Sequence, residues 1–110
     1  MVLSAQTQAP EFERELEAGR QAALSSKYAD AILHLNRANQ LHEDQCSECH
    51  VWLARVEMAE GKLGEALKDV DTAIAVAKGN AQLSQAQLYR GIIFSRQSAL
   101  TQAETAFIMD

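Results

Sequence analysis

The sequence predicts an all-α fold of three tandem antiparallel helix hairpins, and three observations point to it. Proline occurs once, at Pro10, and glycine only five times in 110 residues, so little in the chain interrupts helices. Hydrophobic residues make up 47% of the chain, which is enough for one continuous core. A pattern of small residues also recurs three times. Together these observations favour a single helical repeat domain.

The helices are placed by the signals that begin and end them. Pro10 suits the first turn of a helix, where its missing N–H is not needed, so the repeat domain is expected over residues 9–110 after a flexible segment, 1–8. Breaks are predicted at Ser25–Ser26, at Asp44–Ser47, at Gly61 and at Gly79–Asn80. The six predicted helices cover residues 9–25, 28–42, 47–60, 63–78, 81–97 and 100–110. Because the connectors are short, neighbouring helices must pack antiparallel.

Three units share one order of small and bulky residues. In the first unit Gly19 is followed at +9, +12, +16 and +19 by Tyr28, Ala31, Leu35 and Ala38. In the second unit Ala54 is followed at the same offsets by Leu63, Ala66, Val70 and Ala73. In the third unit Gly91 is followed by Leu100, Ala103, Phe107 and, in the last slot, Asp110. The predicted repeats therefore span about 12–45, 47–80 and 84–110, the last incomplete.

These residues resemble the signature of the tetratricopeptide repeat (TPR) family over roughly residues 12–110. The resemblance implies a right-handed superhelical stack of three hairpins, and a non-enzymatic scaffold that binds a protein or peptide in a concave groove. The sequence departs from the family where a large aromatic residue is expected four positions before the glycine. Glu15, His50 and Gln87 stand there instead, and no proline closes a repeat.

The resemblance also implies which residues line the groove. They are Glu13, Leu16, Glu17, Arg20, Leu24, Glu48, Val51, Trp52, Arg55, Met58, Gln85, Leu88, Tyr89, Ile92 and Arg96. Arg20 and Arg55 share one repeat position, so they are predicted to lie side by side and pair either with acidic groups of a peptide or with neighbouring glutamates. Trp52 and Tyr89 are expected to anchor a ligand or to pack the hairpins. The family's carboxylate clamp of Lys and Asn is not matched.

Cys46, Cys49 and His50 form a C-x-x-C-H motif, which in other settings attaches haem or contributes to a metal or redox site. Here the motif opens the second repeat and continues directly into its packing positions, so a haem there would displace the neighbouring hairpin. Zinc lacks a fourth ligand at a suitable spacing. The favoured interpretation has Cys49 packed as a small apolar residue, and Cys46 as an exposed thiol or a partner in a local disulfide. No cofactor is predicted.

Charge and hydropathy exclude several classes of function. The net charge is -5, and the ten basic residues are scattered, so no nucleic-acid binding is expected. No apolar run reaches the roughly 20 residues that span a bilayer, so no membrane insertion is expected and the chain should be soluble. Met1–Gln6 lacks the basic start of a signal peptide, which leaves open a cytoplasmic protein or an exported one whose signal was removed. No catalytic motif occurs, so the protein is not expected to be an enzyme.

Two alternative functions stay open. The apolar end at Phe107–Met109 makes self-association through the C-terminal helix, or assembly within a longer protein, the main alternative to peptide binding. A c-type haem or redox protein that uses the cysteine motif is the other alternative.

Overall fold

The structure is a computed structural model that describes the backbone of residues 2–109 and the side chains of residues 9–106 and of Ile108. Over that range the chain forms α-helices and no strand, which confirms the all-α prediction. The helices are α1 (Val2–Leu24), α2 (Tyr28–Leu41), α3 (Ser47–Ala59), α4 (Leu63–Ala75) and α5 (Asn80–Met109). None of the helices in this described range combines the length and the apolar character that crossing a bilayer demands.

The five helices form two layers. Helices α1 and α2 pack as one hairpin and α3 and α4 as a second, and α5 packs against both α4 and α3. On one side α3 lies between α1 and α5 and contacts both of them. On the other side α2 and α4 do not touch within the described residues. Side chains of α1, α3 and α5 therefore share one surface.

Both hairpins turn through the same backbone device. The residue seven positions after the key small residue, Ser26 in the first unit and Gly61 in the second, adopts a left-handed conformation with φ of 60° and 81°. The amide that follows each of them donates to the carbonyl five residues earlier, at 2.8 Å in both turns. This C-terminal motif satisfies helix-end carbonyls and reverses the chain. The predicted breaks at Ser25–Ser26 and Gly61 are thereby confirmed.

The third predicted hairpin is absent, because α5 continues without a break where the fifth and sixth helices were expected to separate. Ser98 occupies the slot of Ser26, so the residue in the slot does not by itself decide whether the chain turns. Ser98 lies between Gln97 and Ala99, which both favour helix, whereas Ser26 follows another serine. An acidic residue also stabilises the first turn of α2 and of α4, and the first turn expected after Ser98 has none. The prediction of a separate helix over residues 100–110 is therefore wrong.

The C-terminal half of α5 extends beyond the rest of the fold. From Phe94 onward every described side chain except Gln97 is exposed, and Leu100 and Ile108 are 54% and 81% exposed. A helix of 30 residues is about 45 Å long, so it far outreaches the 13-residue helices α3 and α4 on which it packs.

The repeated small residues occupy the tightest contacts of the first two units. Ala31, Ala54 and Ala66 are fully buried, as are Leu35 and Val70 in the bulky slot between the hairpin helices. A Cβ atom added to Gly19 would lie 2.7 Å from the side chain of Leu35. The predicted contact faces of these two units are therefore confirmed, whereas a Cβ at Gly91 would meet no atom within 4 Å.

The start of α1 differs from the prediction. Helix α1 is described from Val2, so Pro10 lies inside it rather than in its first turn. Proline has no N–H, so one helical hydrogen bond is missing at that point. The predicted flexible segment covers residues 1–8, whose side chains lie outside the described set. The side chains of Phe107 and Asp110, which were assigned to the third repeat, also lie outside it.

Candidate functional site

A stack of arginine and aromatic side chains crosses the surface shared by α1, α3 and α5. The guanidinium of Arg55 lies over the ring of Trp52 at 3.9 Å from its centroid, and 5.2 Å from the ring centroid of Tyr89 on α5. From α1, the guanidinium of Arg20 lies 5.6 Å from the same Trp52 ring. The structure thus brings together four of the predicted groove residues, which we call the Arg–aromatic stack. Two cations share one indole, an arrangement stabilised by attraction to the ring face.

The two arginines differ in their polar partners. Arg20 forms an ion pair with Glu17 at 3.0 Å, one turn earlier on α1, so the expected pairing with a neighbouring glutamate holds for it. Arg55 forms no hydrogen bond or ion pair with any residue whose side chain is described. The side chain is half-buried, but no Arg55 nitrogen is both buried and without a hydrogen-bond partner. The polar edge of Arg55 therefore faces solvent while its flat face rests on Trp52.

Trp52 serves mainly as a packing residue. It is only 7% exposed and belongs to the core cluster formed by Leu35, Leu53 and Val56. Its indole therefore joins α3 to the first hairpin, as the packing interpretation predicted. The two arginines cover the remaining part of the ring, so Trp52 supports the surface from below.

A small cleft opens beside Arg55. It has a volume of about 110 Å³ and is bounded by α1, α2 and α3. Its lining consists of Ala23, Leu24, Tyr28, Trp52, Arg55, Val56 and Ala59. Apart from Arg55 the lining residues are hydrophobic, while polar and apolar atoms contribute about equally to the surface of the cleft.

The other predicted groove residues divide by exposure. Val51 and Met58 are 1% and 8% exposed and pack within core clusters, so they are not on the surface that the resemblance implied. Their positions were expected to line the groove, but α5 packs over them. Leu16, Glu48 and Ile92 are half-buried. The exposed members are Glu13, Glu17, Leu24, Gln85, Leu88 and Arg96.

Cys46 and Cys49 form a disulfide at the N-terminus of α3. The two residues are 3% and 0% exposed and pack with Ala38, Phe12 and Leu16 between the hairpins. Of the two alternatives for Cys46, the local disulfide is correct and the exposed thiol is wrong. The amide of Cys49 donates to Cys46 Sγ at 3.0 Å, so the motif also caps the helix.

One histidine–carboxylate pair joins the two helices of each hairpin, and sequence reasoning missed both pairs. In the first hairpin His34 Nδ1 lies 2.6 Å from Glu15 Oε2, and in the second His50 Nδ1 lies 2.8 Å from Asp69 Oδ1. Both pairs occupy the same two repeat positions with the acid and the histidine exchanged. The signal was present in the sequence, because Glu15 and His50 fill the slot where the family expects an aromatic residue.

Glu57 extends the second pair into a cluster of three groups. Burial raises the pKa of Glu57 to about 9, and the neighbouring Asp69 adds to this through a hydrogen bond and its charge. Burial also raises the pKa of Asp69, but hydrogen bonds with His50 and Glu57 outweigh it and lower that pKa below its usual value. A protonated Glu57 beside an ionised Asp69 accounts for both directions. This cluster lies between α3 and α4, away from the Arg–aromatic stack.

Metal binding has no ready site in the described part of the chain. Among those residues, no group of three or more histidine, cysteine, aspartate or glutamate side chains is arranged to hold a metal ion. The sulfur atoms of Cys46 and Cys49 are bonded to each other, and His50 is engaged by Asp69.

No protein-family model matches the chain, and no curated protein or solved structure shows significant similarity to it.

Proposed function

We propose that the protein is a TPR-like scaffold that binds a protein or peptide on the surface of α1, α3 and α5. The observation that carries this proposal is the Arg–aromatic stack, which runs across all three helices of one layer. Aromatic and arginine side chains are the residues that most often contribute strongly to protein interfaces. The repeated turn and packing positions of the two hairpins support a TPR-like superhelical arrangement.

Binding is proposed in preference to catalysis. The side-chain types that perform acid–base chemistry, His50, Asp69 and Glu57, interact with one another inside the second hairpin. The disulfide is buried, which favours a structural role over exchange with other thiols. The haem and redox alternatives therefore gain no support from the geometry of the motif.

Hydrogen exchange can test the proposed surface. Peptides selected from a random displayed library on the immobilised protein should slow amide exchange in α1, α3 and α5, and leave α4 and the part of α2 beyond its first turn unchanged. Two exposed leucines offer matched variants, since Leu88 lies on α5 at a predicted groove position and Leu33 on α2 in the other layer. Leu88→Glu should weaken binding of the selected peptides and Leu33→Glu should not. Protection confined to α2 and α4 would contradict the proposal.

Self-association through α5 is a second candidate. It is favoured by the exposed apolar side chains of Leu88, Phe94, Leu100 and Ile108 along one helix that extends past its neighbours. Exposed apolar surface of this kind often marks a protein contact. Light scattering during size-exclusion chromatography distinguishes the candidates, because a monomer over a wide concentration range excludes assembly and a dimer excludes a purely monomeric binder.

A further inference from the structure

We infer that Arg55 binds a carboxylate of an extended peptide and that the adjacent cleft takes a neighbouring aliphatic side chain. This inference rests on the proposed function and names the class of peptide that the surface selects. Three observations carry it: the fixed orientation of Arg55, the free polar edge of its guanidinium, and the size and lining of the cleft.

Arg55 is held in place before any ligand arrives. Its guanidinium is stacked on Trp52 at 3.9 Å and approached from the other helix by Tyr89 at 5.2 Å. Trp52 is itself fixed in the core, with only 7% of its surface exposed. A planar guanidinium stacked on an aromatic ring presents its N–H groups at its edge, where they match the two oxygens of a carboxylate. Little side-chain entropy is then lost on binding.

The polar edge of Arg55 is also available. No described acidic side chain pairs with Arg55, whereas Glu17 already neutralises Arg20 next to it. Opposite charge therefore favours an anionic group at this point.

The cleft limits what accompanies the carboxylate. Its volume of about 110 Å³ is far below the several hundred Å³ that accommodate a drug-sized molecule, so it takes a single side chain. Leu24, Tyr28 and Val56 line it with hydrophobic side chains, so we assign an aliphatic group to it. Since Arg55 also lines the cleft, the carboxylate and the aliphatic group must come from adjacent positions of the ligand.

An NMR titration of the full chain tests this assignment. The probe is the peptide acetyl-Gly-Glu-Leu-Gly-amide, compared with one peptide that has Gln in place of Glu and one that has Gly in place of Leu. The side-chain resonances of Arg55 Nε and of Trp52, which is the only tryptophan, report the site directly. We expect the Glu-Leu peptide to shift both resonances, with affinity about tenfold higher than that of either comparison peptide.

Variants of the chain separate the two parts of the site. Arg55→Gln should reduce affinity for the Glu-Leu peptide to that for the Gln-Leu peptide. Ala59→Leu should fill the cleft and remove the preference for leucine while leaving the preference for glutamate. Arg37→Gln on α2, in the other layer, is the matched control and should leave binding unchanged.

Two outcomes overturn the inference. Equal affinity for the Glu-Leu and Gln-Leu peptides at the α1, α3 and α5 surface contradicts carboxylate binding by Arg55 but leaves the proposed binding function intact. Peptide-induced shifts confined to residues other than Arg55 and the cleft place the ligand elsewhere. Failure of library-selected peptides to protect α1, α3 and α5 is a different result, which removes the proposed function itself.

Discussion

Gly19 and Gly91 occupy the same repeat slot in different surroundings, and replacing each with alanine tests the architecture. At Gly19 the new Cβ would lie 2.7 Å from Leu35 Cγ and Cδ2, and 3.3 Å from its backbone nitrogen. Ordinary contacts between carbon atoms are about 3.5–4.0 Å, so Leu35 would have to move by about 1 Å. Leu35 is fully buried and has no free space to move into. At Gly91 no atom lies within 4 Å.

The expected effects on the free energy of unfolding have opposite signs. Overpacking a core costs about 1–3 kcal/mol, whereas alanine is favoured over glycine inside a helix by about 1 kcal/mol. Gly19→Ala should therefore lose up to about 2 kcal/mol, and Gly91→Ala should gain about 1 kcal/mol. Urea denaturation followed by Trp52 fluorescence measures both. In a Leu35→Ala background most of the penalty of Gly19→Ala should disappear, because Leu35 Cγ and Cδ2 are gone and only the contact with the backbone nitrogen remains.

Loss of stability in Gly91→Ala would contradict an unbroken helix α5. It would mean that a helix packs on Gly91 as α2 packs on Gly19, and that residues 100–110 fold back as the repeat pattern predicts. A gain in Gly19→Ala would equally show that Leu35 can relax without cost. The pair of variants thus tests the unbroken helix α5 independently of any ligand.

Three further predictions follow from burial and charge. Ile93→Ala should lower the free energy of unfolding by about 2–5 kcal/mol, because Ile93 is fully buried. Leu100→Ala should lower it by less than about 1 kcal/mol, because Leu100 is 54% exposed. Similar losses in urea denaturation would contradict the extension of α5. Burial raises the pKa of Glu57 to about 9 from 4.5, so the unfolded chain loses this proton at lower pH and stability falls as pH rises between these values. Glu57→Gln should therefore exceed the wild type by a margin that grows with pH, and a margin independent of pH would contradict the shift. Reduction of the Cys46–Cys49 disulfide should cost about 2 kcal/mol, the entropy of closing a four-residue loop, in matched oxidised and reduced urea curves.

The sequence allowed most of the two hairpins to be predicted because their determinants are local. Small residues mark the close contacts between helices, and Gly61 supplies a left-handed turn. The third hairpin could not be predicted correctly, because the contact pattern continues past Gly91 and Ser98 repeats the residue type of the first turn. The difference lies in the neighbours of that slot, since Gln97 and Ala99 favour a continuous helix. The packing pattern predicts a turn at Ser98, whereas the structure follows the helix preference of its neighbours.

The candidate site was predicted in part for a similar reason. Repeat positions placed Arg20, Trp52, Arg55 and Tyr89 on one surface, since a fixed offset means a fixed face of a helix. They did not distinguish the buried Val51 and Met58 from the exposed members of the predicted set, because that depends on how closely α5 packs. The free edge of Arg55 and the cleft beside it depend on side-chain conformations, and the spacing of residues along the sequence does not predict these.

The exchanged histidine–carboxylate pairs place polar side chains in the slot where the tetratricopeptide repeat pattern has an aromatic residue, and both members are present in each hairpin. Glu15 and His34 are 21% and 30% exposed, so the pair is partly solvated and contributes about 1 kcal/mol or less. Glu15→His alone places two histidines opposite each other and removes the carboxylate that lies 3.9 Å from Arg37, so it should destabilise the first hairpin. Adding His34→Asp recreates the arrangement of the second hairpin and should restore most of the loss in urea denaturation. Additive effects of the two substitutions would show that the pair is incidental, whereas recovery would show that the slot requires a histidine–carboxylate pair in either order.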